Sequence, residues 1–569
     1  MHVLNLFKKT IIRFPWILVI LFTIPSFIAL LRPGFFPMQD DLQVFRLHQM
    51  DKCIKDLQIP CRWIPDMGYQ YGYPQFNFYN PSVFYLGEVF HLAGFQFIDS
   101  VKILFILGLV LSAISMFLLL RSFVDNFPAL VGSLLYTYAP FKAAQAYVRG
   151  SLNELWSFVF FPLIFLFAYQ LIKTNKSKYI IYLASSVGLM LLTHNLMSVV
   201  IAPLAAVWIL NWLVLEKGWR VLPKLFVSLL LGLGLSAFFV LPVIFEGKYV
   251  HLETLIGGYF DYRQHFVNIY QLFLSNYFGY GSSVFGNNDE VSLSVGIVQW
   301  ISAAITLTLA LINFKKKKKL SITVIIVFLL SVFTIFLMHQ RSSFIWERLE
   351  FFKYFQFPWR FLAGSTFLLS ILGAMGISFI TNKRLSVIYG GLITVSLGIL
   401  YLSFFKPVSW NNVSDQDKFS GQSWEKQLTI SIFDYLPIYA KLPPNKKAPE
   451  RPEVLEGDVK VISYFKGSNY QEGEVEVVGN EAVIRVPLFD FPGMKVTSNN
   501  KQIPHWHNDC RFEEYCLGLI TFKLPEGNHK IKAELGDTLI RTIGNTISLF
   551  SFLTIISFLT KRVYEKTTN

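Results

Sequence analysis

Long apolar runs, separated by short connections rich in lysine and arginine, are the feature that most restricts the fold of this chain. Of its 569 residues, 53% are hydrophobic and only 15% are charged. A helix needs about 20 apolar residues to cross the roughly 30 Å hydrocarbon core of a bilayer. The runs therefore predict a polytopic α-helical membrane protein and exclude an ordinary soluble enzyme. We predict about 12 spans, at approximate residues 14–31, 101–120, 128–146, 154–172, 179–193, 196–215, 225–245, 293–313, 320–338, 360–380, 385–404 and 541–560.

The basic residues indicate which side of the membrane each connection occupies. The net charge of +14 could suggest nucleic-acid binding, but much of it lies in short connections such as Lys315–Lys319. Lys and Arg that flank spans stay in the cytoplasm, so the charge is a topology signal and nucleic acid is not an expected partner. With both termini cytoplasmic in a cell membrane, the inner basic residues are Arg121, Lys173, Lys176, Lys178, Lys217, Arg220, Lys224, Lys383, Arg384, Lys561 and Arg562.

For two apolar stretches, hydrophobicity alone does not show whether they are membrane-spanning helices. The first run follows Lys8, Lys9 and Arg13, as in a signal peptide, but no small-residue cleavage site follows it, which predicts an uncleaved helix. Residues 82–97 are also apolar, yet a further crossing there would move the later basic connections to the outside. We therefore predict a juxtamembrane or re-entrant helix at 82–97.

The remaining connections collect on the outer face. From about residue 456, short runs of alternating apolar and polar residues are separated by Pro, Gly and Asn, which predicts a small antiparallel β-sandwich. The expected organisation is a transmembrane domain at 1–404 with a first outer loop at 32–98, a mainly β extracytoplasmic domain at 405–540, and a final span with a basic tail at 541–569.

All four cysteines fall on the outer side of this topology. Cys53 with Cys61, and Cys510 with Cys516, are candidates for local disulfides in an oxidising compartment. Free thiols are the alternative. A zinc site is less favoured, because neither pair has the short spacing of zinc ligands.

Asp40 and Asp41 follow the first span directly and are either a solvated helix end or a base that faces a cavity. The loop after them is rich in Gly, Pro and aromatic residues, which predicts an ordered loop against the membrane, with Tyr and Trp in the interfacial belt. Paired acids can also bind Mg²⁺ or Mn²⁺ through oxygen, so a divalent cation stays open, and no other cofactor is indicated. The loop residues that could support a site are His48, Arg62, Asp66 and Tyr73.

Three later clusters are predicted on the same side. Arg149 and Glu154 belong to a short polar segment between two predicted spans and could simply pair. Alternatively, Arg149 could face a phosphate, because its planar guanidinium group can donate to two oxygens at once. His194 and Asn195 end a tight helical hairpin and could satisfy backbone groups or support a site. Cations beside aromatic rings at Lys353 and Arg360 would suit a lipid-carrier phosphate, although an interfacial amphipathic helix has the same composition.

No phosphate-binding Walker loop, dinucleotide glycine motif, nucleophile elbow or His-Glu-x-x-His motif is present. An outward-facing site has no access to cytosolic ATP or nucleotide sugars. Any group transfer at such a site therefore needs a donor that the membrane itself carries.

Several motifs together resemble those of a known family. The chain resembles the multi-spanning "6-pyruvoyl-tetrahydropterin synthase-related" membrane proteins, which are similar in plan to GT-C superfamily glycosyltransferases and to YfhO-like membrane proteins. The family name suggests a zinc site with three histidine ligands, as in a soluble enzyme, but the sequence contains no pattern that predicts such a site. The motifs are Asp40-Asp41, Arg62-Trp63-Ile64-Pro65-Asp66, Tyr71-Gly72-Tyr73-Pro74, Phe78-Tyr79-Asn80-Pro81, Arg149-Gly150-Ser151-Leu152-Asn153-Glu154, Thr193-His194-Asn195 and Phe357-Pro358-Trp359-Arg360.

The GT-C resemblance implies sugar transfer from a polyprenyl-phosphate donor to an extracytoplasmic glycan, lipid or protein, with inversion. An acid of the first outer loop would be the general base, Asp41 rather than Asp40, and the leaving phosphate would be stabilised by Arg149, Lys353 and Arg360. The alternative is a non-catalytic lipid or polysaccharide transporter, or a cell-envelope assembly protein with a glycan-binding outer domain. Ionisable residues lie mostly at the span ends, which favours an interfacial enzyme over a transporter.

The topology can be tested by cysteine labelling. A cysteine introduced at Ser420 is expected to react with a membrane-impermeant thiol reagent added from outside, because it lies in the outer segment 405–540. One introduced at Lys317, within the penta-lysine connection, is expected to react only after the membrane is opened. The unsubstituted chain measures the background from the native cysteines. Reversed labelling would overturn the assignment of sides.

Overall fold

The computed structural model describes the backbone of residues 15–284, 289–507 and 516–567, with side chains to residue 560. Most of it is helical, and one antiparallel β-sheet lies near the C-terminal end. The predicted fold class, a helical membrane protein with a small β domain, is confirmed. The α-helices are α1 (Trp16–Phe27), α2 (Gln43–Lys55), α3 (Gln75–Phe78), α4 (Ser82–Leu92), α5 (Phe97–Leu120), α6 (Asn126–Thr137), α7 (Pro140–Ala144), α8 (Leu152–Thr174), α9 (Lys178–Thr193), α10 (Asn195–Leu215), α11 (Leu222–Glu246), α12 (Ile269–Phe273), α13 (Ile297–Ile312), α14 (Lys318–Phe336), α15 (Ser343–Arg348), α16 (Leu362–Phe379), α17 (Lys383–Tyr401), α18 (Asp415–Lys418), α19 (Gly421–Thr429) and α20 (Leu539–Thr567).

In the described part of the chain, eight helical segments are long and apolar enough to cross a membrane. Three shorter apolar helices, Trp16–Leu31, Lys178–Thr193 and Ile297–Ile312, correspond to three more of the predicted spans. The remaining predicted span is interrupted. The eight segments are Phe97–Leu120, Leu152–Thr174, Asn195–Leu215, Trp219–Tyr249, Lys318–Phe336, Pro358–Phe379, Lys383–Phe404 and Leu539–Thr560.

The span predicted at residues 128–146 is broken into two helices. α6 ends at Thr137 and α7 begins at Pro140. Proline disfavours helical backbone at the residue before it, and Ala139 is accordingly extended, with φ −67° and ψ 135°. The chain continues through a π-helical turn at Gln145–Arg149.

The predicted non-crossing helix at residues 82–97 is present as α4. It has 11 residues, which gives a length of about 16 Å at 1.5 Å per residue. That is about half the thickness of the hydrocarbon core, so α4 is too short to cross.

Close contacts divide the chain into two compact units, each assembled from separate stretches of sequence. The first unit contains residues 1–43, 98–233 and 258–413, and therefore most of the membrane helices. The second unit contains residues 44–97, 234–257 and 414–569. It combines most of the predicted first outer loop with the β domain and α20. The predicted domain boundaries after residues 404 and 540 follow the spans and stay a prediction.

The β domain of the second unit has six described strands. All neighbouring strands are antiparallel, in the order β1-β2-β6-β3-β4, and β5 also pairs with β6. The described strands thus form one hydrogen-bonded sheet, where a sandwich would have two. Register shifts such as that between Val477 and Glu481 allow the long strands to bend. The strands are β1 (Glu453–Lys466), β2 (Tyr470–Phe489), β3 (Met494–Ser498), β4 (Lys501–Ile503), β5 (His505–His507) and β6 (Leu519–Leu535).

Aromatic residues of the first loop complete the hydrophobic core of the second unit. Trp63 is fully buried, and its ring lies 5.8 Å from that of Phe491. The ring of Tyr71 lies 5.5 Å from Phe489, whose amide donates to the Tyr71 carbonyl. The expectation that these Tyr and Trp residues form a membrane-interface belt is therefore wrong for Trp63 and Tyr71, because packing against the sheet removes them from the surface.

A buried ion pair joins two helices of the second unit. Arg541 of α20 is fully buried and donates from Nε to Glu246 Oε2 at 2.9 Å, at the end of α11. Thr538 donates to the other oxygen of Glu246 at 2.6 Å, and Asn77 donates to Oε2 at 3.0 Å. The Glu246 carboxylate therefore ties the last helix to the first loop.

Glu246→Ala is expected to destabilise the protein by about 3–5 kcal/mol, because it leaves the buried Arg541 charge without its partner. Thermal unfolding in detergent measures the loss. The control is Lys319→Ala, which removes an ion pair to Glu216 whose lysine is 58% exposed and should cost no more than about 1 kcal/mol. Equal losses for both variants would contradict the assigned role of Glu246.

Candidate functional site

Three membrane helices of the first unit begin at one carboxylate, that of Glu154. Glu154 lies in the first turn of α8, and His194 is the N-cap of α10. Arg360 lies in the short turn Pro358–Phe361 that leads into α16. Helix N-termini carry partial positive charge, so this end of the helices favours an anion.

The Glu154 carboxylate is 1% exposed and is saturated by donors. Arg149 binds it through both terminal nitrogens, Nη1 to Oε2 at 2.5 Å and Nη2 to Oε1 at 3.1 Å. Arg360 donates from Nε to Oε1 at 2.9 Å, and Gln145 donates to Oε2 at 2.7 Å. The structure thus shows the Arg149–Glu154 pair, one of the two options that the sequence left open. We call Arg149, Glu154, His194 and Arg360 the Glu154 cluster.

His194 contributes a neutral ring to this cluster. Its Nδ1 accepts from the Met197 amide at 3.3 Å, so the proton of the neutral imidazole is on Nε2. Nε2 lies 3.6 Å from Glu154 Oε1. Burial lowers the pKa of His194, which keeps the ring uncharged at neutral pH.

The cluster has an excess of positive charge. Two guanidinium groups, those of Arg149 and Arg360, face the single carboxylate of Glu154. Arg149 also lies over the ring of Trp359, with 4.5 Å between the guanidinium carbon and the ring centroid. A second anion with several oxygens, such as a phosphate, would therefore meet favourable electrostatics here.

The turn that carries Asp40 is held directly against this cluster. The Asp40 amide donates to the Arg149 carbonyl at 2.9 Å, and the Gln39 amide donates to the Val148 carbonyl at 3.0 Å. Gln43 donates to the Asp40 carboxylate at 2.8 Å and to the Gly150 carbonyl at 2.9 Å. Asp41 lies half-buried in the same turn. The backbone of this turn therefore lies against the backbone of Arg149.

Gly150 is required for this close approach. Its φ of +62° lies in the left-handed region, which side chains rarely adopt. A Cβ atom at this position would stand 2.1 Å from Met38 Sδ. Glycine thus lets the turn before Asp40 lie on the end of the π-helical segment.

Lysines contact the other ends of the same three helices. Lys224 donates to Asn175, which follows α8, and Lys319 pairs with Glu216, which follows α10, at 3.0 Å. Lys317 donates to the carbonyl of Ser378 in the last turn of α16 at 2.6 Å. Cations are stabilised at helix C-termini. These three helices therefore meet a carboxylate at their N-terminal ends and lysines at their C-terminal ends.

Several of the predicted supporting residues belong to the second unit and have contacts of their own there. His48 stacks on Phe419 with ring centroids 4.3 Å apart, and burial together with Lys52 lowers the pKa of His48 to about 4. Asp66 accepts from Gln49 at 2.6 Å. Tyr73 donates to the Ser431 carbonyl at 3.3 Å.

Arg62 of the second unit lies near the buried ion pair described above. It donates to Asn77 at 3.1 Å and to Asn545 at 2.8 Å. Burial and the neighbouring Arg541 charge lower the pKa of Arg62 to about 10, so it stays protonated. A supporting role for Arg62 in the site stays a prediction.

The two remaining predicted site residues of the first unit, Asn195 and Lys353, lie in different elements. Asn195 begins α10, and its side-chain oxygen accepts from the Leu196 amide at 2.9 Å. Lys353 lies in the turn Glu350–Phe355, with its ammonium 5.7 Å from the Tyr354 ring, and it forms no ion pair with a described residue. A donor-binding role for Lys353 stays a prediction.

The structure places Cys53 and Cys61 in a disulfide with an S–S distance of 2.02 Å. Cys510 lies outside the described residues, so the predicted pairing with Cys516 stays a prediction. Within the described ranges, no group of three or more His, Cys, Asp or Glu side chains is arranged to hold a metal ion. A divalent cation at Asp40 and Asp41 likewise stays an expectation.

Sequence reasoning missed the glutamines that hold the two arginines. Gln145 accepts from Arg149 at 2.7 Å, and Gln356 accepts from Arg360 at 2.9 Å. Each glutamine precedes its arginine by four residues. Gln145 and Arg149 lie in one helical turn, where this spacing places side chains on one face, and it is the signal that could have found Gln145. Gln356 has a φ of +62° and lies outside a helical turn, so the spacing gives no such signal there.

This chain is similar to a protein family and to solved structures. Residues 76–342 match the family model "6-pyruvoyl-tetrahydropterin synthase related domain; membrane protein", which confirms the resemblance. No curated protein matches the sequence. The solved apo structure of the Archaeoglobus fulgidus oligosaccharyltransferase has 12% sequence identity and a TM-score of 0.42, with 76% of this chain and 60% of that chain covered. The chain therefore spans less than two thirds of that protein, and a likeness this low carries no argument about activity.

Gly150→Ala is expected to displace the Asp40 turn. Its added Cβ would collide with Met38, in addition to the strain of positive φ. The matched control is Gly258→Ala, which has a φ of +58° and no atom within 4 Å of its added Cβ. Thermal unfolding should show a larger loss for Gly150→Ala. Adding Met38→Ala should recover the difference between the two variants, and the absence of recovery would contradict the packing explanation.

Proposed function

We propose that this protein, whose residues 76–342 match the 6-pyruvoyl-tetrahydropterin synthase related family model, is a membrane glycosyltransferase. It moves a sugar from a polyprenyl-phosphate donor to an extracytoplasmic glycan, lipid or protein. The observation that carries this proposal is the Glu154 cluster, with two arginines and one acid at the N-termini of three membrane helices.

The excess charge of this cluster suits the leaving group of such a reaction. A polyprenyl phosphate gains negative charge on the bridging oxygen as the sugar departs. Arg149 and Arg360 are held in fixed positions by Gln145 and Gln356, so their donors need little rearrangement to stabilise that charge. A membrane-anchored phosphate would also reach a site located at the helix ends.

The position of the cluster across the membrane supports an outward-facing site. Arg360 and Ser378 lie at opposite ends of one helical segment and are separated by 18 residues, which is about 27 Å at 1.5 Å per residue. This is close to the thickness of the hydrocarbon core. Lys317, which contacts Ser378, belongs to the penta-lysine connection that the positive-inside rule assigns to the cytoplasm. The Glu154 cluster is then on the extracytoplasmic side.

Asp40 and Asp41 are the acids proposed as the base, because their turn is hydrogen-bonded to the backbone of Arg149. One carboxylate takes the proton of the acceptor hydroxyl. The acceptor oxygen forms a bond to the anomeric carbon while the bond from that carbon to the phosphate oxygen breaks, and the phosphate leaves with the electron pair. Attack from the face opposite the phosphate inverts the configuration. Asp41 is preferred over Asp40, as the GT-C resemblance implies.

One observation favours transport as a second candidate. Lys142 is fully buried directly after the break between α6 and α7, where it donates to Ser112 of α5 at 2.7 Å. Its ammonium lies 4.0 Å from the Tyr136 ring centroid. Ionisable residues buried at helix breaks are found in transporters. Movement of a labelled lipid-linked sugar across vesicles, with no transfer to an acceptor, would favour this candidate.

The double variant Asp40→Asn/Asp41→Asn is expected to lose sugar transfer by at least about a hundredfold, because no general base remains. The measurement is transfer from a radiolabelled polyprenyl-phosphate sugar in membranes that contain the variant. The two single variants assign the base, with the larger loss expected for Asp41→Asn.

The control for this experiment is Asp99→Asn, which alters an acid that is 45% exposed and paired with Lys102. It should keep transfer near the wild-type rate. Equal membrane levels and equal thermal stability must accompany the loss in the double variant. Full retention of transfer by a well-folded Asp40→Asn/Asp41→Asn protein would exclude these acids as the base.

A further inference from the structure

The second unit contains a cavity that the proposed transfer reaction does not use. Its volume is about 260 Å³. One wall comes from the first loop and the other from the hairpin of β1 and β2 together with Glu450. The lining residues are Lys52, Lys55, Asp56, Trp63, Pro65, Asp66, Gln70, Gly72, Glu450, Phe465, Lys466, Gly467, Ser468, Tyr470, Gln471 and Leu488.

The charges that line this cavity balance. Three lysines face three acids, and the acids are Asp56, Asp66 and Glu450. Lys52 pairs with Asp66 at 2.5 Å, and Lys466 lies 3.8 Å from Glu450. A phosphate or another anion would need an excess of cations, as at the Glu154 cluster, so a balanced lining favours an uncharged ligand.

Aromatic and amide groups complete the lining. Phe465 is 55% exposed at the end of β1, and its ring centroid lies 6.1 Å from that of Tyr470 at the start of β2. Gln70 and Gln471 provide amides that can both donate and accept. A ligand with an apolar face and many hydroxyl groups can stack on such rings while its hydroxyls meet alternating donors and acceptors.

The loop that brings Gln70 to the cavity has an unusual backbone. Tyr69 and Gln70 are successive non-glycine residues with positive φ, 55° and 71°, between Gly68 at 67° and Gly72 at 83°. Such conformations cost free energy and persist where the surroundings hold them. Here Tyr69 is fixed by hydrogen bonds to Leu428 and Ala448, at 3.2 and 2.9 Å. The strained loop therefore keeps Gln70 in place before any ligand arrives.

From these features we infer that this cavity is a binding site for an uncharged saccharide, and that it holds about one sugar ring. The site requires no transfer chemistry, so it does not depend on the proposed function. If that function holds as well, the cavity would retain a glycan near the membrane.

The inference is tested with the full-length protein in detergent, by saturation-transfer NMR against methyl glycosides of glucose, galactose, mannose and N-acetylglucosamine. Glucuronate and glucosamine are the charged comparators. At least one neutral glycoside is expected to bind in the millimolar range, more tightly than either comparator. Phe465→Ala should weaken that binding by about tenfold through loss of stacking, and Gln70→Gly should weaken it while relieving the backbone strain.

The matched control is Ile462→Ala on the same strand, at a side chain that is 54% exposed and does not line the cavity. Its binding should equal that of the wild type. The inference is overturned if no neutral glycoside binds, or if a charged comparator binds more tightly. It is also overturned if binding survives unchanged in both Phe465→Ala and Gln70→Gly, because the ligand would then occupy another site.

Discussion

A buried carboxylate at the ends of three membrane helices is the constraint on which the first unit depends. Removing Glu154 from water is costly unless its charge is compensated, and helix N-termini, two guanidinium groups and a neutral histidine provide that compensation. The same requirement fixes where α8, α10 and α16 begin relative to one another. The cluster thus joins the three helices and carries an excess of positive charge.

The Glu154 cluster also positions the neighbouring turn that contains Asp40. Because Arg149 is held by Glu154 and Gln145, its backbone carbonyl is available in a fixed position for the Asp40 amide. Gly150 allows Met38 to approach without a clash. The Asp40 turn therefore meets the Arg149 backbone shortly after the break that follows α6, where Pro140 interrupts a helix that apolar composition alone would have continued. In the proposed reaction, this arrangement places a base and a phosphate site side by side.

The two units use charge differently, and the difference separates their proposed roles. The Glu154 cluster has more cations than acids, whereas the cavity beside β1 and β2 has equal numbers. The first suits an anionic leaving group, and the second suits a neutral, hydroxyl-rich ligand. The "6-pyruvoyl-tetrahydropterin synthase related" family model that residues 76–342 match is named for neither kind of ligand.

The sequence by itself determined most of the helices and the presence of the strands, since these follow from local periodicity and from the approximate 20-residue length that a bilayer requires. The sequence also determined which helix ends carry lysine, because placing a charged side chain in the hydrocarbon core is energetically costly. Only the tertiary structure decided which loop residues belong together. Arg149, His194 and Arg360 converge on Glu154, whereas His48, Arg62, Asp66 and Tyr73 join a different unit. Trp63 enters the core of a sheet that begins 390 residues later in the sequence. Local pattern contains no information about such long-range packing, which depends on the complementary shape and charge of surfaces that meet only after folding.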